Sequence, residues 1–534
     1  MARRSFWAWG TEDDEPTMTQ VEEAARRAGE RWGITIEPVP PPKIEEIELR
    51  TPRATVPEKL RGFCTTETFD RARHTYGKSF ADSVRAYRRE FANPPDVVAY
   101  PRSEEEVVAV LEWCDQQGHT AIPWGGGSSV VGGLDVPADS PAAVSINLER
   151  MNRVLEVDAT SRAARIQAGA LGPEIEEQLR PHGLTLRHYP QSFEWSALGG
   201  WIATRSGGHY ATNHTHIDDF VESVRMVTPR GAWESRRLPG SGAGPSPDRL
   251  AIGSEGILGI ITEAWMRVQA RPVFRASAGV RFPTWESGYD AARAIVQSKL
   301  WPANCRLLDP QEAQNAAGAD GSYALLVLGF ESGDLPQGEF LHQALRIARE
   351  AGGTVPEDEI VIKDDQGAPG EAGRQGAVGA WRNAFIRAPY ARNINSGLGT
   401  VGDTFETSMT WDRWPEFDRN VRAAVNDALK RVCGEGTLTC RFTHVYPDGP
   451  APYYTYAGPG KRGGEIEMWW EVKQAALEAV WANGGTVTHH HAVGRDHRPW
   501  YDRQRPDLFA DALRAAKKAV DPKAILNPGV LIDP

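Results

Sequence analysis

The sequence predicts an α+β protein of two lobes preceded by an extended N-terminal segment, and three observations carry that reading. At 534 residues the chain is too long for one ordinary core. From Pro95 onward, short apolar strands alternate with capped helices. After about Arg271 the element order becomes β-α-β-β-α-β, which is ferredoxin-like.

Residues 1–90 are rich in Arg, Glu and Pro and hold one helix over Met18–Trp32, followed by an extended stretch at Pro38–Pro42, because consecutive prolines forbid helix. A first lobe over residues 91–271 opens with VVAYP as a strand. A capping box of Ser103 and Glu106 then starts a helix whose apolar face is Val107, Val108, Leu111 and Cys114, and Gly118 stops it. HTAIPW, AVSINL, RVLEVD and AARIQAG read as strands, PEIEEQLRPHG as a helix, and VESVRMVTPRGAWES as a hairpin turning at Pro229–Gly231. A second lobe, residues 272–490, forms a cap: its β-α-β-β-α-β run ends in a short strand near Thr354. Helices follow at Pro415–Cys433 and Glu465–Asn483. The last segment, residues 491–534, is a helix and a Pro-terminated tail that returns to the first lobe.

Composition narrows the function. A net charge of −11 argues against sequence-independent nucleic-acid binding, which needs a basic face. Cys64, Cys114, Cys305, Cys433 and Cys440 contain no CxxC pair and are too sparse for a disulfide framework, which fits a reducing cytoplasm. No apolar run reaches spanning length, and neither a secretory nor a peroxisomal address is evident. Contact with a membrane surface stays compatible with all of this.

PWGGGSSVVGG, Pro123–Gly133, follows a predicted strand. Adjacent glycines let backbone N–H groups converge on a phosphate without Cβ obstruction, and Ser128 and Ser129 add hydroxyl donors. The stretch is neither a P-loop nor a GxGxxG fingerprint. Two more glycine-rich stretches, Pro190–His209 and Gly253–Glu263, lie in the same lobe. Three such loops suit a large diphosphate cofactor.

These stretches, with the ending AILNPGVL, resemble the vanillyl-alcohol-oxidase (PCMH-type) group of FAD-binding flavoproteins. GFCTTETFDRARHTYGKSFADSVRAYR, DTFETSMTWDRW, CRFTHVYPDG and THHHAVG are similar to the alkyl-dihydroxyacetonephosphate synthase family in particular. The resemblance implies a PCMH-type FAD-binding domain of two α/β subdomains under the ferredoxin-like cap. It also implies non-covalent FAD, since His119, His188 and His209 match no attachment motif. Carried over position by position, the FAD contacts fall on Pro123, Trp124, Gly125, Gly126, Gly127, Ser128 and Ser129; on Gln191, Ser192, Ser196 and Ala197; on Thr204, Arg205, Ser206 and Gly207; and on Glu255, Gly256, Ile257, Leu258, Gly259, Ile260 and Ile261. Ala197 departs from the family, where a hydroxyl residue is usual.

In the cap, APYYTYAG puts Tyr454 and Tyr456 on one face of a strand and Tyr453 on the other. Packing is the commoner fate of such tyrosines. The resemblance makes Tyr454 the general acid/base, activated by a cationic neighbour among His489, His490 and His491. It also makes Arg392 and Arg306 substrate-binding residues. Strand alternation would turn His489 and His491 to one site and His490 away. Flavin-dependent 2-hydroxyacid dehydrogenases of the same superfamily hold a metal on two histidines and a glutamate. Here His444 keeps the first place, Ala451 or Pro452 stands in the second, and His490 stands where the glutamate belongs, so no metal is expected.

The implied activity is exchange of the acyl group of acyl-dihydroxyacetone phosphate for a long-chain fatty alcohol, through a covalent flavin N5 adduct and without net redox change. The implied assembly is a homodimer. The alternatives are an FAD-dependent 2-hydroxyacid or alcohol dehydrogenase or oxidase, and a non-catalytic FAD-binding protein.

Overall fold

The computed structural model describes residues 3–210, 212, 214–364 and 376–533. In the first lobe, Cys64–Thr65, Val97–Ala99, Ala143–Asn147 and Thr120–Trp124 lie in that order in one sheet, the last three parallel. All of Ala143–Asn147 is buried, as a strand covered on both faces must be. The helix Glu104–Gln117 shares this core through Val107, Val110, Leu111 and Cys114, and Gly118 closes it at φ +68°. Only half of the expected capping box forms. Ser103 Oγ accepts from the Glu106 amide, but the Glu106 carboxylate turns to the Arg102 amide (2.7 Å) and guanidinium. A charged donor one residue upstream outcompetes the Ser103 amide.

A second sheet of the same lobe is antiparallel throughout, in the order Val154–Asp158, Ala163–Gln167, Ile260–Arg267, Val221–Thr228, Gly231–Glu234. The chain end returns to the first sheet, where the Ala121 amide donates to Ile525 O at 2.8 Å.

The cap holds one seven-stranded sheet. Four of its strands run in the order Val361–Lys363, Phe274–Phe282, Ala324–Ser332, Asn304–Leu308, which is the ferredoxin-like order of fourth, first, third and second. The fourth strand is not at Thr354, which forms an isolated bridge to Arg281. Pro356 cannot donate to a ladder, and pairing resumes after a short 3₁₀ turn at Glu357–Glu359. Beyond Asn304–Leu308 the sheet continues through Thr437–Val445, Pro450–Pro459 and Thr400–Glu406.

The N-terminal segment ties both lobes together. Its helix Met18–Trp32 is capped by Thr17 and Gln20 and closed by Gly33 in the left-handed region. Trp9 exchanges two hydrogen bonds with the Asn393 side chain of the cap (2.8 and 3.0 Å), while Arg50 and Arg53 clasp the buried Asp96 of the first lobe. Among the described residues, no helix is long and apolar enough to cross a membrane.

Candidate active site

A cavity of about 790 Å³ opens between the lobes, within the range of small-molecule and cofactor sites. One wall is the loop Gly125–Ser129, joined by Gln191, Ser192, Ser196, Ala197, Gly200, Thr204, Ser206, Gly207 and Gly208. Gly127 sits at φ +71°, and a Cβ on Gly126 would fall 1.8 Å from the Trp195 carbonyl oxygen. Only glycine lets the two loops close on each other there. None of the amides from Gly125 to Ser129 donates to an acceptor among the described residues. A run of unspent N–H groups beside a cavity is the cradle a diphosphate needs. These residues therefore fit FAD.

The other expected cofactor residues lie behind that wall. Trp124 packs on His74 in a tilted arrangement (ring centroids 4.4 Å apart, planes at 48°), Pro123 packs under Gly256, and Arg205 ends a helix in the left-handed region and bonds Asp218 at 3.0 Å. None of the stretch Glu255–Ile261 lines the cavity. Its Glu255 carboxylate accepts from the amides of Val493 and Gly494, both at 2.8 Å, and Ile257 O accepts from Lys517. The third glycine-rich stretch thus anchors the segment that follows the three histidines.

The cap supplies the facing wall: Arg306, Arg392, Arg441, His444, Tyr453, His490 and His491. Arg392 comes from the helix Gly376–Asn395 and is held by Asp403 (2.9 Å), which Trp469 and Lys473 also engage. Those cations hold the Asp403 carboxyl well below the usual carboxylate range. Arg306, fully buried on the strand Asn304–Leu308, donates to the His209 carbonyl at 2.6 Å.

Tyr454 does not face this cavity. It is completely buried in the cap core, stacked on Phe405 at 4.7 Å, and its hydroxyl donates to Asp418 at 2.7 Å. Burial and the Asp418 charge raise its pKa well above the ordinary phenol value, the opposite of activation. Its neighbour Tyr453 lines the cavity, as does Tyr456 further along the strand. The Tyr453 ring lies 5.9 Å from His490 and 5.5 Å from His491, and its hydroxyl donates to Thr404 Oγ1 at 3.0 Å.

The histidine run is not a strand, so the expected alternation fails. Successive amides of His489, His490 and His491 all point at the buried carboxylate of Glu406 and form an anion nest around it. As a result His490 and His491 line the cavity, each with Nδ1 3.6 Å from Glu406, while His489 turns to Tyr446 (2.8 Å) and His216 (3.2 Å). The run is also not a source of positive charge. Burial lowers His490 to about 3 and His491 to about 4, with Glu406 opposing the shift, so both imidazoles are neutral at physiological pH. The cation beside Tyr453 is instead Arg441, 4.3 Å over its ring and bonded to Glu312 at 2.6 Å.

The sequence alone does not single out Tyr453, Arg441, Glu406 or Asp403 for this cavity and its surroundings, although strand alternation separates the facing of Tyr453 from that of Tyr454. His444, buried and bonded to the Gly208 carbonyl at 2.7 Å, comes together with His489 and His490 so that one nitrogen from each lies within 4.8 Å of the others. That trio has the donor set and spacing to hold a borderline divalent ion.

Residues 95–235 match the model of an FAD binding domain, and residues 271–531 that of the C-terminal domain of FAD linked oxidases. The chain is 31% identical over 506 residues to an alkyldihydroxyacetonephosphate synthase from Dictyostelium discoideum, covering 92% of this chain and 82% of that protein. A solved alkyldihydroxyacetonephosphate synthase structure superposes with a TM-score of 0.76 at 28% identity, over 93% of this chain and 88% of that one. A p-cresol methylhydroxylase structure with substrate bound shares the fold, with a TM-score of 0.66 at 14% identity over 89% of this chain and 94% of that one.

Proposed function

We propose, for a chain that belongs to the alkyldihydroxyacetonephosphate synthase family, that it is an FAD-dependent ether-lipid synthase whose proton-handling group is Tyr453. Its substrates are acyl-dihydroxyacetone phosphate and a long-chain alcohol, and its fold is the PCMH-type FAD-binding domain with a cap. The observation that carries the assignment of roles is the placement of Arg392, Tyr453, His490 and His491 across one cavity from the amides of Gly125–Ser129.

Bound along Gly125–Ser129, Gln191–Ala197 and Thr204–Gly207, FAD supplies a ring that can give and take an electron pair within one cycle. The chain supplies placement and proton transfer. Arg392, oriented by Asp403, grips the substrate phosphate through its fork. The proton on the carbon bearing the acyloxy group passes to the Tyr453 oxygen as the phenolic proton moves to a neighbouring imidazole. Arg441 steadies negative charge developing on the phenol, and Glu406 steadies the imidazolium. Because His490 and His491 charge only well below neutrality, either imidazole returns the proton readily when the alcohol has added.

We also propose a cytoplasmic homodimer and, because both lipid substrates partition into bilayers, one in peripheral contact with a membrane. The test of the function is an exchange reaction with acyl-dihydroxyacetone phosphate and hexadecanol, read by mass spectrometry. One ether phosphate should form per fatty acid released, with no oxygen consumed. Release of acid without ether would overturn the reading.

The trio His444, His489 and His490 favours one other reading, a metal-assisted hydroxyacid oxidoreductase. Bleaching of the flavin by D-lactate or glycolate under anaerobic conditions, dependent on added divalent metal, would establish it in place of the synthase.

A further inference from the structure

The residues under the glycine loop come from a part of the chain that neither FAD-related family match includes. Arg4 donates from Nη2 to the Gly126 carbonyl at 2.9 Å, and its guanidinium lies 4.5 Å over the Trp195 ring. The Lys78 amide donates to the Ser129 carbonyl at 2.6 Å, and Gly77 meets Ser129 so closely that a Cβ there would fall 2.3 Å from the same oxygen. Two carbonyls of the loop are thus drawn to the N-terminal segment, while the amides from Gly125 to Ser129 have no acceptor among the described residues. A loop whose carbonyls are held back presents its N–H dipoles forward.

The charges point the same way. Lys78 is 6% exposed, and its ammonium makes no hydrogen bond or ion pair among the described residues. It shares its surroundings with Arg4 and Arg73, and the carboxylates acting on this group are Glu149, paired with Arg73 at 2.8 Å, and Asp82. Burial and the two guanidiniums push Lys78 down to about 7, while burial and Arg73 push Arg4 down to about 9. A buried ammonium without a counter-ion is costly, and an anion on the far side of the loop would relieve that cost.

We propose that Arg4 and Lys78 are positioning residues of a phosphate cradle, turning the Gly125–Ser129 amides toward the diphosphate of FAD and setting two positive charges behind them. The proposal rests on the FAD assignment and not on the ether exchange, so it can fail while that exchange stands. The strap that bears Arg4 also carries Trp9, which lines the cavity and is locked to Asn393, next to Arg392.

The test uses the holoenzyme. FAD release is followed by flavin fluorescence after dilution, in wild type, Arg4→Gln, Arg4→Lys and Lys78→Met, at rising NaCl. Loss of one charge-assisted contact should speed release roughly tenfold in Arg4→Gln and Lys78→Met, with a flatter salt dependence than wild type. Arg4→Lys, which keeps the charge, should restore much of the retention. Affinity for dihydroxyacetone phosphate, measured on flavin-saturated protein, should stay unchanged. Unchanged FAD release in both charge-removing variants overturns the proposal. So does a loss confined to dihydroxyacetone phosphate affinity, which would assign the cations to the substrate phosphate. Equal acceleration in Arg4→Lys and Arg4→Gln, with salt dependence as in wild type, would mean a packing role only and would overturn it as well.

Discussion

Replacing Tyr453 and Tyr454 by phenylalanine, one at a time, separates catalysis from packing on adjacent residues. Tyr453→Phe removes a hydroxyl whose partner is the neutral Thr404 Oγ1 at 3.0 Å. Such a bond contributes only about 0.5–1.5 kcal/mol to stability, whereas loss of a positioned proton carrier costs roughly 10²–10⁴ in rate. Tyr454→Phe removes a hydrogen bond to the buried carboxylate of Asp418, a kind of contact that contributes about 1.5–3 kcal/mol. Asp418 keeps Arg422, bound at 2.9 and 3.0 Å, and the Trp285 indole, so the core should loosen without collapsing. At about 2–4 °C per kcal/mol for a domain of this size, Tm should fall by several degrees. Exchange assays at saturating substrates, with thermal melts of the same preparations, give the comparison. The expected result is a Tyr453→Phe enzyme that melts near wild type but has lost at least a hundredfold in turnover, and a Tyr454→Phe enzyme with the reverse profile. An inactive Tyr454→Phe with unchanged Tm, beside an active Tyr453→Phe, would refute the reasoning.

Three further outcomes are expected. Gly126→Ala should yield protein with little bound flavin, read as the ratio of flavin absorbance to protein, because its Cβ would fall 1.8 Å from the Trp195 carbonyl oxygen. Arg392→Ala should raise KM for acyl-dihydroxyacetone phosphate roughly 10–100-fold, and Arg392→Lys should recover only part of it, since an ammonium lacks the fork. Stability should also fall in acid through the histidines. Their folded pKa values, about 3 for His490 and about 4 for His491, lie below the unfolded value near 6.5, so the unfolded chain binds more protons. Their contribution is therefore complete above pH ~6.5 and is lost toward pH 4 at about 1.4 kcal/mol per pH unit for each group. Urea midpoints between pH 7.5 and 5 should drop in wild type and drop less in His491→Gln.

Much of the fold was legible because local chemistry agreed with tertiary structure. The helix Met18–Trp32 has its expected bounds because the Thr17–Gln20 capping box and Gly33 satisfy both ends without outside help. The ferredoxin-like order was readable from alternating elements, but its extension to seven strands was not. Thr400–Glu406 contains Gly402 and Asp403, residues that strands disfavour, and Asp403 is tolerated only because Arg392, Lys473 and Trp469 meet it from distant positions. The site was half legible. Glycines point to the loop Gly125–Ser129, while in the similar stretch Gly253–Glu263 the Glu255 carboxylate holds the segment after the histidines, a contact that glycine spacing does not show. Alternation separated Tyr453 from Tyr454 but could not say which faced the cavity, since both sides of Pro450–Pro459 are buried at that point. The histidine run misled for a different reason. Glu406, a partner from another strand, draws three consecutive amides to itself and overrides the extended backbone that alternation assumes.

The most direct measurement is the mass of the ether product when wild-type enzyme turns over in D₂O. Proton transfer by a tyrosine and neutral imidazoles that equilibrate with solvent predicts one deuterium on the carbon that bears the new ether oxygen, and loss of both turnover and labelling in Tyr453→Phe. An ether product formed at the wild-type rate with no deuterium at that carbon, or labelled equally by Tyr453→Phe, would contradict it.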